Sequence, residues 1–235
     1  SAVLIALTPA NAQSLQEEKG PWHNRVEVTD RALAIGNPEA ATTLTEFISY
    51  TCSHCASFAL QGDPALEIAF VSPGHTRVEI RSVIRNAVDL TATMLVSCGA
   101  PSRYKSNHAM FLRSQKDWLP VAVNAPQTQQ AIWARADVAA RLNMANALGF
   151  ITRLENRGYS RAELTACLSD TAKAQAILDN NMADREDFDI AGTPSFALDG
   201  VVLEEVHSWD SLYPVLAARV REIQQEEAAK ALPAS

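Results

Sequence analysis

Residues 46–55 of the chain read Glu46-Phe47-Ile48-Ser49-Tyr50-Thr51-Cys52-Ser53-His54-Cys55. The stretch from Thr42 to Tyr50 is rich in Thr, Phe, Ile and Tyr, which favours a β-strand. The residues that follow the cysteines, Ala56 to Leu60, have the spacing of apolar side chains that is typical of a helix. We therefore predict that both cysteines lie at a strand-to-helix junction.

The sequence after the cysteines predicts a parallel βαβ unit. Gly62-Asp63-Pro64 is expected to interrupt the helix, and Ser72-Pro73-Gly74 is expected to end it. A second strand is predicted from Arg77 to Ile84, where charged and apolar side chains alternate. A strand, a helix and a second strand in this order favour a parallel pair of strands with the helix as the crossover.

A long helical segment follows the βαβ unit. From Leu90 to about Asp187 the pattern favours helices, among them Gln130 to Leu142 and Ala145 to Leu154. Ser160-Arg161-Ala162-Glu163 has the Ser-x-x-Glu form of a capping box, which predicts a helix N-terminus. The methionine and aromatic side chains of this segment are interpreted as packing core: Met94, Met110, Trp118, Trp133 and Met144.

The chain then returns to strands and ends in a helix. Asp199-Gly200 separates Ser195 to Leu198 from Val201 to Leu203, and this pattern predicts a β-hairpin. An amphipathic helix is predicted from about Ser211, with its apolar side chains on one face.

The order of these elements predicts the fold class. We find no convincing strand before Thr42. The order βαβ, helical block, ββα predicts an α/β protein with a thioredoxin-like fold and an inserted helical subdomain. We place the thioredoxin-like domain at residues 25–88 and 188–226, and the helical insert at residues 89–187.

Two motifs of the chain resemble the DsbA family of thiol:disulfide oxidoreductases. Residues 46–55 resemble the active-site strand and Cys-x-x-Cys motif of that family, and Gly192-Thr193-Pro194-Ser195-Phe196 resembles its cis-proline loop. Cys98 and Cys167 resemble a feature of the alpha-proteobacterial branch. Ser53 stands where many members carry proline, so the resemblance leaves the redox potential open.

Cys52 and Cys55 are the candidate redox-active pair. Disulfide exchange needs one sulfur that is stabilised as a thiolate and a second sulfur close enough to complete the exchange. At a helix N-terminus Cys52 faces unpaired N–H groups, so we predict that it attacks and that Cys55 is the more buried resolving thiol. His54 is expected to add a donor beside the sulfur. The other histidines are interpreted as surface or core residues: His23, His75, His108 and His207.

Glu46, Thr193 and Pro194 complete the candidate site. The resemblance implies an acidic residue beneath the active site, which makes Glu46 a candidate proton relay for Cys55. A solvated Glu46 at an open face is the alternative. The resemblance also implies a cis bond before Pro194, which would leave the Thr193 backbone free to pair with an extended peptide. A trans proline before an edge strand is the alternative.

Cys98 and Cys167 are expected to form a structural disulfide. Four cysteines allow three connectivities, and the short spacing of Cys52 and Cys55 favours their pairing, which leaves Cys98 to Cys167. Two separate buried thiols are the alternative. A zinc site would need a second close Cys or His pair, which the sequence lacks, so we expect no metal.

Composition and the first residues bear on location and partners. Residues 1–12 contain an apolar run, Ala2 to Leu7, before Ala10-Asn11-Ala12, and are interpreted as the remnant of a signal peptide. The apolar end of a cytosolic protein is the alternative. We expect a soluble, monomeric, periplasmic protein. The net charge of -7 over 235 residues argues against nucleic acid as a partner.

The resemblance implies an oxidase that donates the Cys52–Cys55 disulfide to folding exported proteins. Such an enzyme needs no cofactor beyond that disulfide and is reoxidised by a membrane quinone reductase similar to DsbB. A disulfide reductase or isomerase with the same chemistry is one alternative. A non-catalytic peptide-binding or chaperone module on the same fold is the other, and an insulin-reduction assay separates it from the enzymes.

Overall fold

The computed structural model describes residues 21–231, which form a six-stranded sheet and ten α-helices. The interpretation of residues 1–12 as a signal peptide lies outside the described residues. The strands are β1 (Val26–Val28), β2 (Leu33–Ile35), β3 (Thr42–Ile48), β4 (Thr76–Ser82), β5 (Ser195–Leu198) and β6 (Val201–Val202). The helices are α1 (Ser53–Leu66), α2 (Ala87–Val96), α3 (Tyr104–Arg113), α4 (Gln115–Val123), α5 (Gln127–Trp133), α6 (Val138–Ala147), α7 (Phe150–Glu155), α8 (Arg161–Ser169), α9 (Thr171–Phe188) and α10 (Trp209–Ala231).

The strand that leads into the cysteines lies in the interior of the sheet, whose order is β1-β2-β4-β3-β5-β6. β3 and β4 run parallel, with Leu44 opposite Val78 and Glu46 opposite Ile80. This pairing, with α1 as the crossover, confirms the predicted βαβ unit and the thioredoxin-like fold. The other neighbouring pairs are antiparallel. The cysteine motif therefore follows the end of a strand that has partners on both sides.

The side chains of β3 alternate between the two faces of the sheet, as the strand period requires. Leu44 and Ile48 belong to the main hydrophobic core, and Glu46 shares their face. Phe47 lies on the opposite face, where it packs with Val83 and Ile190. The same alternation that builds the core therefore places a carboxyl group inside it.

The C-terminal hairpin and helix are present as predicted. Asp199 and Gly200 connect β5 to β6 in the left-handed region, at φ 50° and 83°. The Asp199 carboxylate accepts hydrogen bonds from Thr42 Oγ1 and Thr43 N, each at 2.8 Å. The turn is thereby tied to the first residues of β3. α10 packs on the core through fully buried side chains such as Leu216.

Helices α2 to α9 form the predicted helical block between β4 and β5. Both hydrogen bonds of the capping box between Ser160 and Glu163 are present. A disulfide joins Cys98, just after α2, to Cys167 in α8, which is the pairing that the sequence predicts. The side chains interpreted as packing core are buried, with Met110 partly so: Met94, Met110, Trp118, Trp133 and Met144. The domain boundaries given above stay a prediction.

The predicted break at Gly62-Asp63-Pro64 is wrong, because α1 continues through these residues. Packing explains the glycine, since a Cβ atom at position 62 would lie 2.7 Å from the Phe58 ring. Pro64 removes one backbone donor from the helix, and its exposed side chain does not disturb the core. A π-helical turn over Glu67–Val71 follows α1.

The expectation that no strand precedes Thr42 is also wrong. β1 and β2 have three residues each, which is too short for an alternating pattern to be recognised. β2 exists because it pairs with β4, with Leu33 opposite Ile80. Its three side chains are all buried, so tertiary contacts define this strand.

Two predicted helices are each divided in the structure. The helix predicted from Gln130 to Leu142 is interrupted because α5 ends at Trp133 and Ala136 adopts a φ of 53°. The helix predicted from Ala145 to Leu154 is interrupted at Gly149, whose φ is 70°. The apolar spacing continues across both breaks, so periodicity alone did not reveal them.

Removing the Cys98–Cys167 disulfide should lower stability much more than activity. The bridge spans a sequence separation of 69 residues. In the chain-entropy model its loss stabilises the unfolded chain by roughly 4 kcal/mol, and often by less. We expect the double variant Cys98→Ala/Cys167→Ala to melt at a lower temperature and still reduce insulin at room temperature. Mass spectrometry provides the control, because alkylation of both thiols without prior reduction would contradict the disulfide.

Candidate functional site

Cys52 is the N-cap residue of α1, and Cys55 lies in the first turn of that helix. Cys52 has extended backbone angles, φ -92° and ψ 120°. Its N–H donates to Ser49 O at 3.1 Å, so a tight turn connects β3 to α1. Both cysteines are free thiols, and 5% of Cys52 is exposed compared with 1% of Cys55. The more accessible sulfur is the one at the helix N-terminus.

The surroundings of Cys52 favour its thiolate form. The hydrogen bond from the Cys55 thiol is the largest influence, and together with the other donors it lowers the pKa of Cys52 to about 4, against the desolvation imposed by burial. Thr193 and the backbone N–H groups of Cys55 and His54 are the other donors. These N–H groups belong to the first turn of α1, where they have no partner within the helix and where the helix dipole favours an anion.

Cys55 has the opposite tendency. Burial raises the pKa of the Cys55 thiol, and the neighbouring Cys52 sulfur raises it further by its hydrogen bond and its charge. The two groups titrate as a pair, and at neutral pH the pair carries its negative charge on Cys52. Cys55 then remains a thiol that donates to the thiolate.

The role expected of the His54 side chain, a donor beside the Cys52 sulfur, stays a prediction. The imidazole is exposed and has no hydrogen-bond partner among residues 21–231. Position 54 instead contributes the hydrogen bond of its backbone N–H to the Cys52 sulfur. Any residue except proline supplies that donor, so the side chain is not needed for this contact.

The loop of Thr193 and Pro194 faces the cysteines, and the peptide bond between them is cis. The Cys52 Sγ–H donates to Thr193 O at 3.1 Å. Within the described part of the chain, Thr193 Oγ1 is buried and has no hydrogen-bond partner, so the hydroxyl is free to turn toward the sulfur when Cys52 ionises. His207 Nδ1 lies 2.8 Å from Pro194 O, a contact that the sequence reading missed.

Glu46 is buried, with 2% of its surface exposed, so the alternative of a solvated carboxylate is wrong. Its Oε1 has no hydrogen-bond partner among the described residues. Burial raises the pKa of Glu46 well above its usual range, and the nearby Asp63 carboxyl raises it further. Asp63 lies on α1, and burial raises its pKa to about 7. Burial therefore favours the protonated form of Glu46 over its carboxylate.

Glu46 and Asp63 line a pocket of about 210 Å³ between α1, α3 and the sheet. Most of its other wall residues are apolar, and Lys105 and Arg113 of α3 also line it. The charge of Arg113 lowers the pKa of Asp63 and so opposes the effect of burial. The pocket is large enough for several water molecules.

Asp89 is a residue of the site that the sequence reading missed. It is fully buried in the first turn of α2 and accepts hydrogen bonds from Ser49 Oγ at 2.8 Å and Thr51 N at 2.9 Å. Thr51 Oγ1 donates to its second oxygen at 3.0 Å. Asn86, which caps α2 just before Asp89, was the available local signal. Asp89 holds the backbone directly before Cys52.

Gln115 and His108 approach the same turn from other helices. Gln115 is the first residue of α4, and its Nε2 donates to Tyr50 O at 2.7 Å and to Cys52 O at 2.8 Å. His108 Nδ1 lies 3.0 Å from the Tyr50 hydroxyl, and burial lowers the pKa of His108 to about 4. No local pattern marks either residue, because their partners lie about 60 positions earlier in the chain.

The groups gathered here are a thiolate, a thiol and buried carboxyls, which are suited to thiol–disulfide exchange. Within residues 21–231, no group of three or more His, Cys, Asp and Glu side chains is arranged to hold a metal ion. In the same part of the chain, no helix combines the length and the apolar character needed to cross a bilayer.

Comparison with known proteins places these residues in a family. A family model described as thioredoxin matches residues 28–218. A relative in Rickettsia felis that is named a protein-disulfide oxidoreductase is 29% identical over 108 residues. That match covers 44% of this chain and 39% of the relative, so the aligned region spans about two fifths of the relative's length.

Two solved structures share the fold. The protein-disulfide isomerase from Novosphingobium aromaticivorans superimposes with a TM-score of 0.79 and 33% identity, covering 82% of this chain and 99% of its own. The alpha-DsbA1 protein of Wolbachia pipientis superimposes with a TM-score of 0.67 and 16% identity, covering 83% of this chain and 94% of its own. The similarity therefore extends over the sheet and the helical segment together.

The Cys52 thiolate should titrate at a pKa of about 4 rather than at the ordinary value of 9.0. Folding lowers this pKa, so ionised Cys52 stabilises the reduced folded protein. The stabilisation is complete when the pH is above 9.0, the pKa of the unfolded chain, and it is lost as the pH falls through about 4. Ultraviolet thiolate absorbance against pH measures the transition. It should vanish in Cys52→Ser and persist in Ser53→Ala, an exposed neighbour. A transition near pH 9 in the wild type would contradict the assignment.

Proposed function

Because this chain belongs to the thioredoxin family, in its branch of DsbA-type thiol:disulfide oxidoreductases, we propose that it is an oxidase of exported proteins. The oxidised protein carries a Cys52–Cys55 disulfide and passes it to client thiols. The asymmetry of the two cysteines is the observation that supports this direction. A stabilised Cys52 thiolate favours the reduced protein, which makes the disulfide a stronger oxidant.

The first step of the exchange takes place at Cys52. A client thiolate attacks Cys52 Sγ, an intermolecular disulfide forms, and the bond between Cys52 and Cys55 breaks. The electron pair of that bond leaves on Cys55, which takes up a proton because burial raises its pKa. Attack at Cys52 is favoured because this sulfur is the more accessible of the two.

The second step releases the client. The second thiolate of the client attacks the client sulfur that is bonded to Cys52, so the client disulfide forms and Cys52 leaves as a thiolate. The client loses two electrons and the protein gains two. Of the two client protons, one resides on Cys55 and the other is released, since Cys52 remains ionised at neutral pH. The donors around Cys52 make it a good leaving group.

The clients are unfolded or folding exported proteins. An extended client segment pairs with the backbone of Thr193 as an added strand, which brings its cysteine to Cys52. A membrane quinone reductase similar to DsbB accepts the two electrons and restores the disulfide. The protein works as a periplasmic monomer with no cofactor beyond the Cys52–Cys55 disulfide, and the oxidising compartment also maintains the Cys98–Cys167 bridge.

Isomerisation is the second candidate function, because the 33% identical solved structure is named a protein-disulfide isomerase. In that case the reduced form is the active one, and the Cys52 thiolate attacks incorrect client disulfides. Equilibration with glutathione separates the two, because an oxidase has the more oxidising active-site disulfide. A non-catalytic peptide-binding module would show no insulin reduction at all.

Glu46 serves in this proposal as the proton carrier for Cys55. It lies on the core face of β3, its Oε1 has no hydrogen-bond partner among the described residues, and burial raises its pKa and so favours the form that carries a proton. Water in the pocket shared with Asp63 would connect it to solvent. Cys55 has no access of its own to bulk water, so it needs such a carrier.

Replacing each cysteine in turn tests the roles of attacker and resolver. Cys55→Ala should form long-lived mixed disulfides when its Cys52 thiolate attacks client disulfides, because no Cys55 thiol is present to attack Cys52 and release the client. Cys52→Ser should form none and lose insulin reduction. Non-reducing gels report both results. Adducts on Cys52→Ser and none on Cys55→Ala would reverse the assignment.

Replacing Glu46 tests the proton carrier. Glu46→Gln should slow exchange by at least about tenfold, because a general acid or base is lost. Its effect on stability has a defined sign: because folding raises the pKa of Glu46, this residue makes the wild type less stable as the pH rises above 4.5. The variant lacks this contribution and keeps the one from Asp63, whose pKa is also raised. Glu67→Gln, in the same pocket, is the matched control and should leave the rate unchanged. If Glu46→Gln is more stable than the wild type and exchanges disulfides at the wild-type rate, Glu46 is not the proton carrier for Cys55.

A further inference from the structure

The turn that presents Cys52 is held mainly by side chains from the helical segment. Asp89 of α2 accepts three hydrogen bonds from Ser49 and Thr51. Gln115 of α4 donates to the carbonyl groups of Tyr50 and Cys52, each of which directly follows one of those residues in the sequence. Every residue from 49 to 52 is therefore bonded to α2 or α4. The turn itself contains one backbone bond, from Cys52 N to Ser49 O.

Gln115 is joined to the beginning of the active-site helix. The carbonyl of Cys52 accepts both the Gln115 amide at 2.8 Å and the N–H of Ala56 at 3.2 Å, which is the first hydrogen bond of α1. The Gln115 side-chain amide also donates to Tyr50 O at 2.7 Å. Only 4% of Gln115 is exposed, so water does not compete for these carbonyls.

Fixing the carbonyl groups on both sides of Thr51 restricts the backbone angles of residues 51 and 52. These angles decide whether the Cys52 Sγ lies within reach of the N–H groups of His54 and Cys55. An N-cap side chain benefits from those donors only while its residue keeps the extended backbone that Cys52 has here. The thiolate therefore depends on a contact outside the Cys-x-x-Cys motif.

We propose that Gln115 is a positioning residue of the redox centre, whose amide holds the Tyr50 and Cys52 carbonyls so that the N–H groups of α1 remain directed at the Cys52 sulfur. This inference rests on the proposed exchange through Cys52. It assigns to the helical segment a direct part in setting how strongly the disulfide oxidises. Gln115 touches neither reacting sulfur in this role, and it acts through the backbone of residues 50–52.

The test replaces the amide by a side chain of similar size without donors. Gln115→Met should raise the pKa of Cys52 by about one unit, measured by thiolate absorbance. The glutathione equilibrium at neutral pH should shift about tenfold toward the protein disulfide, since the reduced form loses that stabilisation. Gln115→Asn, which keeps an amide on a shorter side chain, should give a smaller shift of the Cys52 pKa. It provides the same test if Gln115→Met does not fold.

Asn107→Leu is the matched control. Asn107 is a buried amide of α3, and its Nδ2 donates to Val96 O at 3.2 Å and to the Tyr159 hydroxyl at 2.7 Å, away from the turn. This variant should lower the melting temperature and leave the Cys52 titration unchanged. If the Gln115 variants lower only the melting temperature in the same way, the positioning role is overturned. If wild-type Cys52 itself titrates near pH 9, the proposed oxidase fails instead.

Discussion

The arrangement of the two cysteines at the N-terminus of α1, where Cys55 lowers the pKa of Cys52, is the constraint on which the rest of the site depends. It requires one sulfur that ionises readily and another that does not, within a single helical turn. The end of a helix provides both environments, because its first N–H groups have no internal partner while the next turn is already buried. Cys52 as N-cap and Cys55 in the first turn occupy these two positions.

The site is built at a cost to stability. A buried polar group without a hydrogen bond is unfavourable by about 1–3 kcal/mol, and Glu46 Oε1 and Thr193 Oγ1 are two such atoms among the described residues. Asp89 and Gln115 are also buried, but their hydrogen bonds compensate for their loss of water. Asp89 and Gln115 are therefore satisfied, whereas Thr193 beside the Cys52 sulfur and Glu46 on the core face of β3 keep free bonding capacity.

The helical segment is attached to the sheet as well as to the active-site turn. Asp184 of α9 accepts hydrogen bonds from Arg31 at 2.7 Å and from Arg81 at 2.9 Å. Asn181, one turn earlier, accepts the backbone N–H of Ile84 at 2.8 Å. With Asp89 and Gln115 these contacts join the segment to the C-terminal end of β4, to the loop before β2 and to the redox turn. The segment is thus a part of the site and not only a cover beside it.

The sequence by itself determined the βαβ unit, the hairpin and the place of the two cysteines, because strand period, turn residues and helix N-termini are local properties. It also pointed to Cys98 and Cys167 as a pair, but only folding brings two residues so far apart in sequence into contact. Tertiary structure decided that Gly62-Asp63-Pro64 continues a helix, since the Phe58 ring packs against Phe196 of β5 and leaves space for glycine at position 62. The burial of Glu46 and the hydrogen bonds of Gln115 to Tyr50 and Cys52 also result from tertiary structure. Whether a polar side chain is solvated, orphaned or bonded depends on residues distant in sequence, and no local pattern records them.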